Sequence, residues 1–523
     1  MKKAWEFIKK YHIIPYFIIL IGIVLVSYVV KWHHYGTVYH ILREDAHVVY
    51  DYFNVILGIV VLGYTLIYAF LVTKASIGKL YLAGAITGSI LFMLIVTPFA
   101  AADENNHIYK CLDLSNLVFG YEMPEDEKTH WLRDCEAFTK LGKKISIENY
   151  YYTAKNMFKT VDDDGMSLQR IGDIVCNNKD IIYYFPGVTG LTLGRALNLS
   201  EVATFTLGRL FTIAACVFLN YLALRKMPFY KTGFALVLLM PSVVSRIASI
   251  TYDGMLMSYI FLFVAYVMHY IHSDETIKIK DAIIMILTGI ALTVGKGGAY
   301  VPFLLLLFLI PKKNFGTKIK YPVIVAGSIF ICLLAYCLCN LSLFTDIKES
   351  TQGTTNDLLW TEEKGYTLHY IITNPVHSVK LLAKTLISYG YQWYGELIGD
   401  GFGWLQIYVS PFLTLIYTLL IAVSALNING EERSLSNKTR IVSMGVVLFS
   451  AALVILSMWI FWTPLNYGII AGVQGRYFIP VFMLVVLAIK NKTTIIKKDV
   501  SGVLLFAAYL ISVMACFNIW IEC

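Results

Sequence analysis

Two adjacent carboxylates, Asp103 and Glu104, follow an apolar segment directly and begin a long polar stretch of the chain. The local sequence is Thr-Pro-Phe-Ala-Ala-Ala-Asp-Glu-Asn-Asn-His, residues 97 to 107. A carboxylate at a membrane surface can serve as a general base for a substrate that arrives through the lipid. His107 lies four residues after Asp103 and shares its face on a helix, so it could orient a carboxylate or help to hold a metal. The alternative is a solvated helix terminus, the commonest role of such a pair.

Lys296 lies inside an apolar stretch, between Gly295 and Gly297. A lysine within a membrane costs several kcal/mol unless it is paired or hydrated, which points to a function. Asp253 begins another apolar segment, where it could cap a helix or bind a substrate.

Three arginines are expected near the same membrane surface, and each could simply reach toward lipid headgroups. Arg195 and Arg209 each follow Leu-Gly, and Arg476 stands in Gln-Gly-Arg-Tyr. If they converge with Lys296, these cations would form a site for an anionic phosphate.

The composition identifies a polytopic membrane protein. The 523 residues are 57% hydrophobic and 15% charged, and the mean hydropathy is +0.64. A soluble domain carries about 25% charged residues. The net charge of +8 does not indicate a nucleic-acid-binding protein, because the Lys and Arg residues are spread over short loops.

Apolar runs of about 20 residues predict about thirteen transmembrane segments. Eleven are expected at 13–31, 53–72, 80–99, 202–223, 232–250, 255–272, 321–340, 407–426, 441–461, 477–490 and 501–520. Residues 282–310 are interrupted by glycines and Pro302, and we expect two short helices there that meet partway across the bilayer. Residues 181–199 and 376–389 predict juxtamembrane helices in the loops.

The positive-inside rule places the N-terminus and the basic short loops in the cytoplasm. Three loops then face outside: 100 to about 201, which carries Asp103 and Glu104, about 341–405, and 462–476. We divide the chain into an N-terminal helical hairpin (1–79), a transmembrane core (80–490) and a C-terminal transmembrane helix (491–523). No Walker or Rossmann motif is present in the sequence, so an activated substrate, a gradient or a partner must supply the energy.

Several ordered motifs resemble those of a bacterial membrane-protein family, domain of unknown function 2142 (DUF2142). The resemblance covers about residues 90–490 and begins at Pro98 to Gly120, where Ala102 replaces the usual Pro before Asp-Glu. The other motifs are Tyr-Phe-Pro-Gly with Leu-Gly-Arg (184–195), Leu-Gly-Arg-Leu (207–210), Leu-Met-Pro (239–241), Ala-Ser-Ile-Thr-Tyr-Asp-Gly (248–254), Gly-Phe-Gly-Trp-Leu (401–405) and Gly-Val-Gln-Gly-Arg-Tyr-Phe-Ile-Pro (472–480). Tyr252 lies in the 248–254 motif and Gln474 in the 472–480 motif. We predict that both bind substrate, together with His107 and Asp253.

That family in turn resembles the GT-C superfamily of membrane glycosyltransferases, which carry an acidic pair in the first outer loop of the core. The resemblance implies an all-α GT-C-like fold and an inverting transfer of sugar from a polyprenyl-phosphate lipid, such as undecaprenyl phosphate, to a cell-surface polysaccharide or similar glycan. It implies catalytic roles for Asp103, as base, and Glu104. Some GT-C enzymes need Mg²⁺ or Mn²⁺, for which Asp103, Glu104 and His107 are the candidate ligands. The expected location is the bacterial plasma membrane, with the active site outside.

A secondary transporter is the main alternative, because transporters also have broken helices and buried charges near the membrane midplane. Against it, the sequence contains no inverted repeat, and its polar residues are concentrated in loops. A polysaccharide polymerase, ligase or flippase would share the substrate class. A non-catalytic assembly factor also fits the composition.

Overall fold

Long apolar helices dominate the chain, because a backbone in lipid must satisfy its hydrogen bonds within each segment. The computed structural model describes residues 12–523 apart from 124–125, 127, 162–164, 173, 175, 177–179, 317–320, 341–354, 359, 432 and 494. The beginning of the predicted 341–405 loop and the N-terminal lysines therefore lie outside the described residues.

The helices run in chain order as follows: α1 Ile13–Lys31, α2 Tyr35–Leu42, α3 Ala46–Val72, α4 Ile77–Ile95, α5 Glu104–Val118, α6 Asp134–Ala137, α7 Ile147–Asn156, α8 Ile181–Ala196, α9 Glu201–Lys226, α10 Lys231–Leu238, α11 Pro241–Ile247, α12 Tyr252–Ile271, α13 Ile279–Val294, α14 Tyr321–Cys339, α15 Leu368–Thr373, α16 Pro375–Ile398, α17 Pro411–Ser424, α18 Asn437–Trp462, α19 Ile479–Ala488 and α20 Ser501–Ile521. In the part of the chain that the structure describes, 3₁₀ turns lie at Arg43–Asp45, Gly295–Gly298, Val301–Leu309, Lys312–Phe315 and Gly475–Phe478.

Among the described residues, short strands form four two-stranded pairs. The strands are β1 Thr129–Arg133, β2 Met166–Arg170, β3 Asn356–Asp357, β4 Lys364–Gly365, β5 Gly401–Phe402, β6 Ile407–Tyr408, β7 Asn427–Ile428 and β8 Ile495–Ile496. The longest pair, antiparallel β1 and β2, joins Thr129 to Arg170 and Arg133 to Met166 within the first long loop.

Eight helical segments of the described chain are long and apolar enough to cross a membrane, and two shorter apolar helices accompany them. These eight coincide with eight of the predicted segments, so the protein is an all-α, multi-pass membrane protein, as predicted. The two short ones, Pro411–Ser424 and Gly475–Ala488, correspond to the predicted spans 407–426 and 477–490.

Two predicted spans are broken in the structure. The 232–250 segment is two helices, because Pro241 is the first residue of α11 and lacks the N–H needed to continue α10. The 282–310 stretch is α13 followed by 3₁₀ turns, not two short α-helices. The break falls at Lys296, whose φ of 45° and ψ of 45° are non-helical.

The contact between α8 and α9 depends on glycine. A Cβ at Gly190 would lie 2.5 Å from the Leu207 carbonyl oxygen, and one at Gly194 would lie 2.8 Å from the Thr204 Cα atom. Small residues four apart let two helix backbones approach closely. The two Leu-Gly-Arg motifs lie on these two helices, one on each. The close contact therefore fixes the positions of Arg195 and Arg209.

The buried helix α12 lies at the centre of the bundle. Of its most apolar window, 83% is buried inside the protein, whereas only 11% is buried for α1 and for α14. The first residues of α12 are therefore held in place by packing on all sides. In contrast, most apolar side chains of α14 are not covered by the rest of the protein.

Candidate functional site

Asp103 caps the start of α5 in a conformation that non-glycine residues rarely adopt. Its φ is 63° and its ψ is 0°, in the left-handed region. Asp tolerates this region better than most residues, and such backbone strain is concentrated at functional sites. Its side chain is 44% exposed, so the carboxylate is open to a ligand.

Arg476 connects Asp103 to Asp253. Its Nη2 atom donates to Asp103 Oδ2 at 2.7 Å, and its Nε atom lies 3.7 Å from Asp253 Oδ2. The Arg476 side chain is only 7% exposed, so the ion pairs are sheltered from water on the arginine side. Sheltered charge pairs interact more strongly than exposed ones.

Lys296 completes the ion network, defined here as Asp103, Arg476, Asp253 and Lys296. Its Nζ atom lies 3.2 Å from Asp253 Oδ1 and 3.4 Å from the centre of the Tyr477 ring. Asp253 stands in the first turn of α12, where the helix dipole favours an anion. Asp253, at the start of α12, and Lys296, at the break after α13, thus form an ion pair although they are far apart in the sequence.

The turn that carries Arg476 is held by α16. The Glu396 Oε2 atom accepts a hydrogen bond from the Gly475 amide at 2.7 Å. A Cβ at Gly475 would lie 2.0 Å from the Trp393 carbonyl oxygen, so only glycine fits there. The Tyr300 hydroxyl also donates to the Tyr477 carbonyl at 2.8 Å. The Gln-Gly-Arg-Tyr motif is therefore a positioned turn.

Glu104, unlike its neighbour, is fully buried and bonded on both oxygens. Arg209 donates to Oε1 at 2.8 Å and also to Oε2, and the amides of Ile250 and Phe99 donate at 2.8 and 3.1 Å. The remaining Arg209 donors reach the backbone carbonyls of residues 93, 96 and 97. The structure therefore places Glu104 and Arg209 in a buried pair that anchors the loop before α5.

Arg195 belongs to a second buried pair. Its guanidinium donates to both oxygens of Glu136 at 2.8 and 2.6 Å and to the Asn116 side chain at 2.7 Å. Burial opposes ionisation of Glu136, but Arg195 and Arg133 hold the pKa of this carboxyl below its usual value. Arg195 therefore joins the first long loop to α8 and lies outside the ion network.

His107 contacts the aromatic side of the site. Its Nδ1 atom shares a 2.5 Å hydrogen bond with the Tyr184 hydroxyl, and its ring packs edge-on to Tyr252. Burial lowers the pKa of His107 to about 3, although Asp253 and Asp103 act in the opposite direction. The ring is neutral at physiological pH. Within the described ranges, no three His, Cys, Asp or Glu side chains are grouped so that they could hold a metal ion.

Tyr252 lies next to the ion network, and Gln474 stands two residues before Arg476 in the same turn. The Tyr252 ring centre is 5.2 Å from Lys296 Nζ. The Gln474 Oε1 atom is buried and has no hydrogen-bond partner in the part of the chain that the structure describes. A buried amide oxygen without a partner is unfavourable, so a ligand hydroxyl would be well placed to satisfy it.

A cavity of about 530 Å³ adjoins the network. Lys296, Tyr252 and Tyr477 line one part of it. Apolar side chains of α14 and α18, among them Leu333, Leu453, Met458 and Phe461, line much of the rest. The site thus combines a charged end with an apolar chamber.

Sequence reasoning missed Arg246, which is buried in α11 and lies within electrostatic reach of Asp103, Asp253 and Arg476. The available signal was its charge inside a segment that was predicted to span the membrane, where an arginine is costly. It also missed Glu396, since nothing local shows that its carboxylate supports a turn 79 residues away.

Asp400 provides a pH-dependent contribution to stability near this turn. Its Oδ1 atom has no hydrogen-bond partner among the described residues, and burial together with the nearby Glu396 charge raises its pKa to about 6. An unfolded aspartate titrates near about 3.9. The neutral form is thus favoured on folding, and this stability, present below pH ~4, is lost as pH rises through 6.

We therefore expect Asp400→Asn to raise the melting temperature relative to wild type, and more at pH 8 than at pH 4.5. The check is a series of melting curves across this range for both proteins in the same detergent. A difference that does not change with pH would show that Asp400 ionises normally in the folded protein.

Comparison with known proteins identifies the family. The family model described as "Predicted membrane protein (DUF2142)" matches residues 88–485. No curated protein and no solved structure matches the chain. The matched region begins within α4 and ends within α19, so it contains every residue of the ion network. The chain belongs to the DUF2142 family of predicted membrane proteins.

Proposed function

We propose that this protein is a GT-C type membrane glycosyltransferase that moves a sugar from a polyprenyl-phosphate donor to an acceptor hydroxyl. The observation that carries the proposal is the half-exposed Asp103 carboxylate, linked through Arg476 to Asp253 and Lys296 beside an apolar cavity. A base, phosphate-binding cations and an apolar chamber are the three components that this reaction needs.

The cavity suits a lipid with an anionic head. Lys296 lies at its charged end, and a second apolar cavity of about 460 Å³ shares Val301, Leu333 and Leu453 with it. The first cavity reaches Val301, and the second continues along the Val301–Leu309 turn, whose nine residues of 3₁₀ helix extend about 18 Å. A phosphate beside Lys296 would leave this apolar path for its isoprenoid tail.

The chemistry is a single inverting displacement. The acceptor hydroxyl attacks the anomeric carbon, the bond from that carbon to the phosphate oxygen breaks, and the phosphate leaves with the electron pair. The hydroxyl proton passes to Asp103, since a hydroxyl is a weak nucleophile without a base. The leaving phosphate needs positive charge rather than a protonated carboxyl, and Lys296 and Arg476 supply it.

The remaining residues have supporting roles in this proposal. His107, Tyr252 and Gln474 face the site and bind the sugar or the acceptor. Glu104, Arg209 and Arg195 are saturated by their partners and hold the loop that presents Asp103. The acceptor we propose is an extracytoplasmic glycan. The positive-inside charge pattern supports an outward-facing site in a bacterial plasma membrane.

Blocking the apolar chamber tests the lipid donor. In proteoliposomes supplied with a panel of undecaprenyl-phosphate sugars, we expect Leu453→Trp to raise the KM for the donor about tenfold or more. The indole fills volume that the tail would occupy. The apolar surface of the tail that then stays unburied lowers the affinity for the donor by at least about tenfold. Leu448→Trp is the matched control, since that side chain is 68% exposed on the same helix.

The outcome separates the tail site from general damage. Equal KM values for Leu453→Trp and the control would place the tail elsewhere. A loss in both variants would show only that α18 does not tolerate tryptophan, and the shorter change Leu453→Phe would then be compared with Leu448→Phe.

A further inference from the structure

Arg246 is a buried arginine of α11. The residue is 6% exposed, yet its side chain makes no hydrogen bond or ion pair with any residue that the structure describes. Arg195 and Arg209 show the usual arrangement, in which a buried guanidinium is satisfied by a carboxylate and carbonyls. None of its nitrogen atoms is among the fully enclosed side-chain atoms that lack a partner, so a ligand can reach the guanidinium. A largely buried charge without a partner is unfavourable, and an anionic ligand would supply that partner.

The position of Arg246 in the chain places it beside the helix that carries Asp253. It lies near the end of α11, one short turn before Asp253 in α12. The two helices touch so closely that a Cβ at Gly254 would lie 3.1 Å from the Arg246 carbonyl oxygen. The charges that act on its guanidinium are those of Arg476, Asp253 and Asp103, with the Tyr477 hydroxyl.

When Arg246 is counted with the ion network, the positive and negative charges do not balance. Three cations, Lys296, Arg476 and Arg246, face two carboxylates, Asp103 and Asp253, which gives a net charge of +1. His107 is neutral, and Lys110, which also acts on it, is paired with Asp180 at 3.6 Å. The groups that act on Arg246 therefore lack one negative charge. The buried Glu396 carboxylate, which accepts from the Gly475 amide, is not among the main charges that act on Arg246 or Arg476.

We propose that Arg246 binds the phosphate of the donor, and that charge balance selects a sugar joined to lipid through a single phosphate rather than a diphosphate. This inference rests on the proposed glycosyl transfer. A phosphodiester carries one negative charge, which neutralises the centre. After transfer the phosphate carries two charges while Asp103 has gained the proton, so the balance is kept from substrate to products.

The test measures binding without transfer. The full-length protein in detergent is titrated with three sugar-free lipids, and binding is followed by native mass spectrometry. The lipids are methyl undecaprenyl phosphate, its diphosphate counterpart and neutral undecaprenol. The variants are Arg246→Gln, Arg246→Lys and the control Arg225→Gln, an exposed arginine near the far end of α9. Inorganic phosphate is added in a separate arm to distinguish a lipid-specific site from a general anion site.

We expect wild type to bind the monophosphate lipid best, and Arg246→Gln to weaken that binding roughly ten- to hundredfold, because a charge-assisted bond is lost. Arg246→Lys should retain part of the affinity, and undecaprenol binding should not change. Competition by millimolar phosphate against the lipid would support a phosphate-specific centre. Binding of the monophosphate lipid that is unaffected by Arg246→Gln, or tighter wild-type binding of the diphosphate, would overturn the proposal.

Failure of this inference can be told apart from failure of the proposed function. Arg246-dependent binding with no sugar transfer from any donor would keep the phosphate site and refute the enzyme. Transfer combined with binding that ignores Arg246 would keep the enzyme and refute the site. If Arg246→Gln does not fold, the preference of wild type among the three lipids and the result for Arg246→Lys decide the question.

Discussion

Asp103→Asn should lower the turnover number of sugar transfer by about 10² to 10⁴, the range that a general base contributes. The amide keeps the shape of the carboxylate but cannot accept the hydroxyl proton. Because the Asp103 side chain is 44% exposed and is not part of a packed core, we expect normal folding. Donor binding should persist, since Arg476 and Lys296 keep their pairing with Asp253.

The measurement compares initial rates and donor affinity for wild type, Asp103→Asn and Asp274→Asn. Asp274 undergoes the same chemical change but is 87% exposed and follows the opposite end of α12 from Asp253. Full activity in Asp103→Asn would remove this carboxylate from the mechanism. Loss of donor binding together with rate would assign it to substrate binding instead.

Glu104→Gln should destabilise the protein, unlike Asp103→Asn at the neighbouring position. The Glu104 carboxylate is fully buried against Arg209, and neutralising it leaves the guanidinium without a counter-ion. Breaking a buried pair by removing one partner costs about 3–5 kcal/mol. We expect poor yield and a large fall in melting temperature, whereas Asp103→Asn melts close to wild type.

A double variant shows whether the effect comes from the pair. Glu104→Gln with Arg209→Met removes both charges, so it should recover part of the stability that each single change loses. Additive losses would mean that the two side chains stabilise the fold through separate contacts. A stable but inactive Glu104→Gln protein would reassign Glu104 to the chemistry.

Much of the fold follows from the sequence because lipid imposes a simple rule on length and polarity. Eight predicted spans coincide with long apolar helices, and the break at Lys296 follows from glycines around a charge. The division of 232–250 was missed, since Pro241 lies in an apolar run whose length alone suits one span. That error also hid Arg246.

The roles within the site follow less readily, because they depend on tertiary partners. Arg195 and Arg209 both follow Leu-Gly, so the local sequence does not distinguish them. In the structure Arg195 pairs with Glu136 and Arg209 with Glu104. Asp103 and Glu104 are neighbours in sequence, but a left-handed turn exposes one and the start of α5 buries the other. Sequence could indicate that Lys296 needs a partner, but only folding brings Asp253, 43 residues earlier, to it.

A mass balance of the lipid tests directly whether this protein transfers sugar. It is measured in proteoliposomes containing wild-type protein, undecaprenyl-phosphate-linked sugars and glycan acceptors. We predict that glycosylated acceptor and free undecaprenyl phosphate appear in equal amounts, and that Asp103→Asn lowers the rate of formation of both by about 10² to 10⁴. If no donor yields product while the lipid-linked sugar instead moves between the leaflets, the protein is a transporter, and the proposed enzyme is wrong.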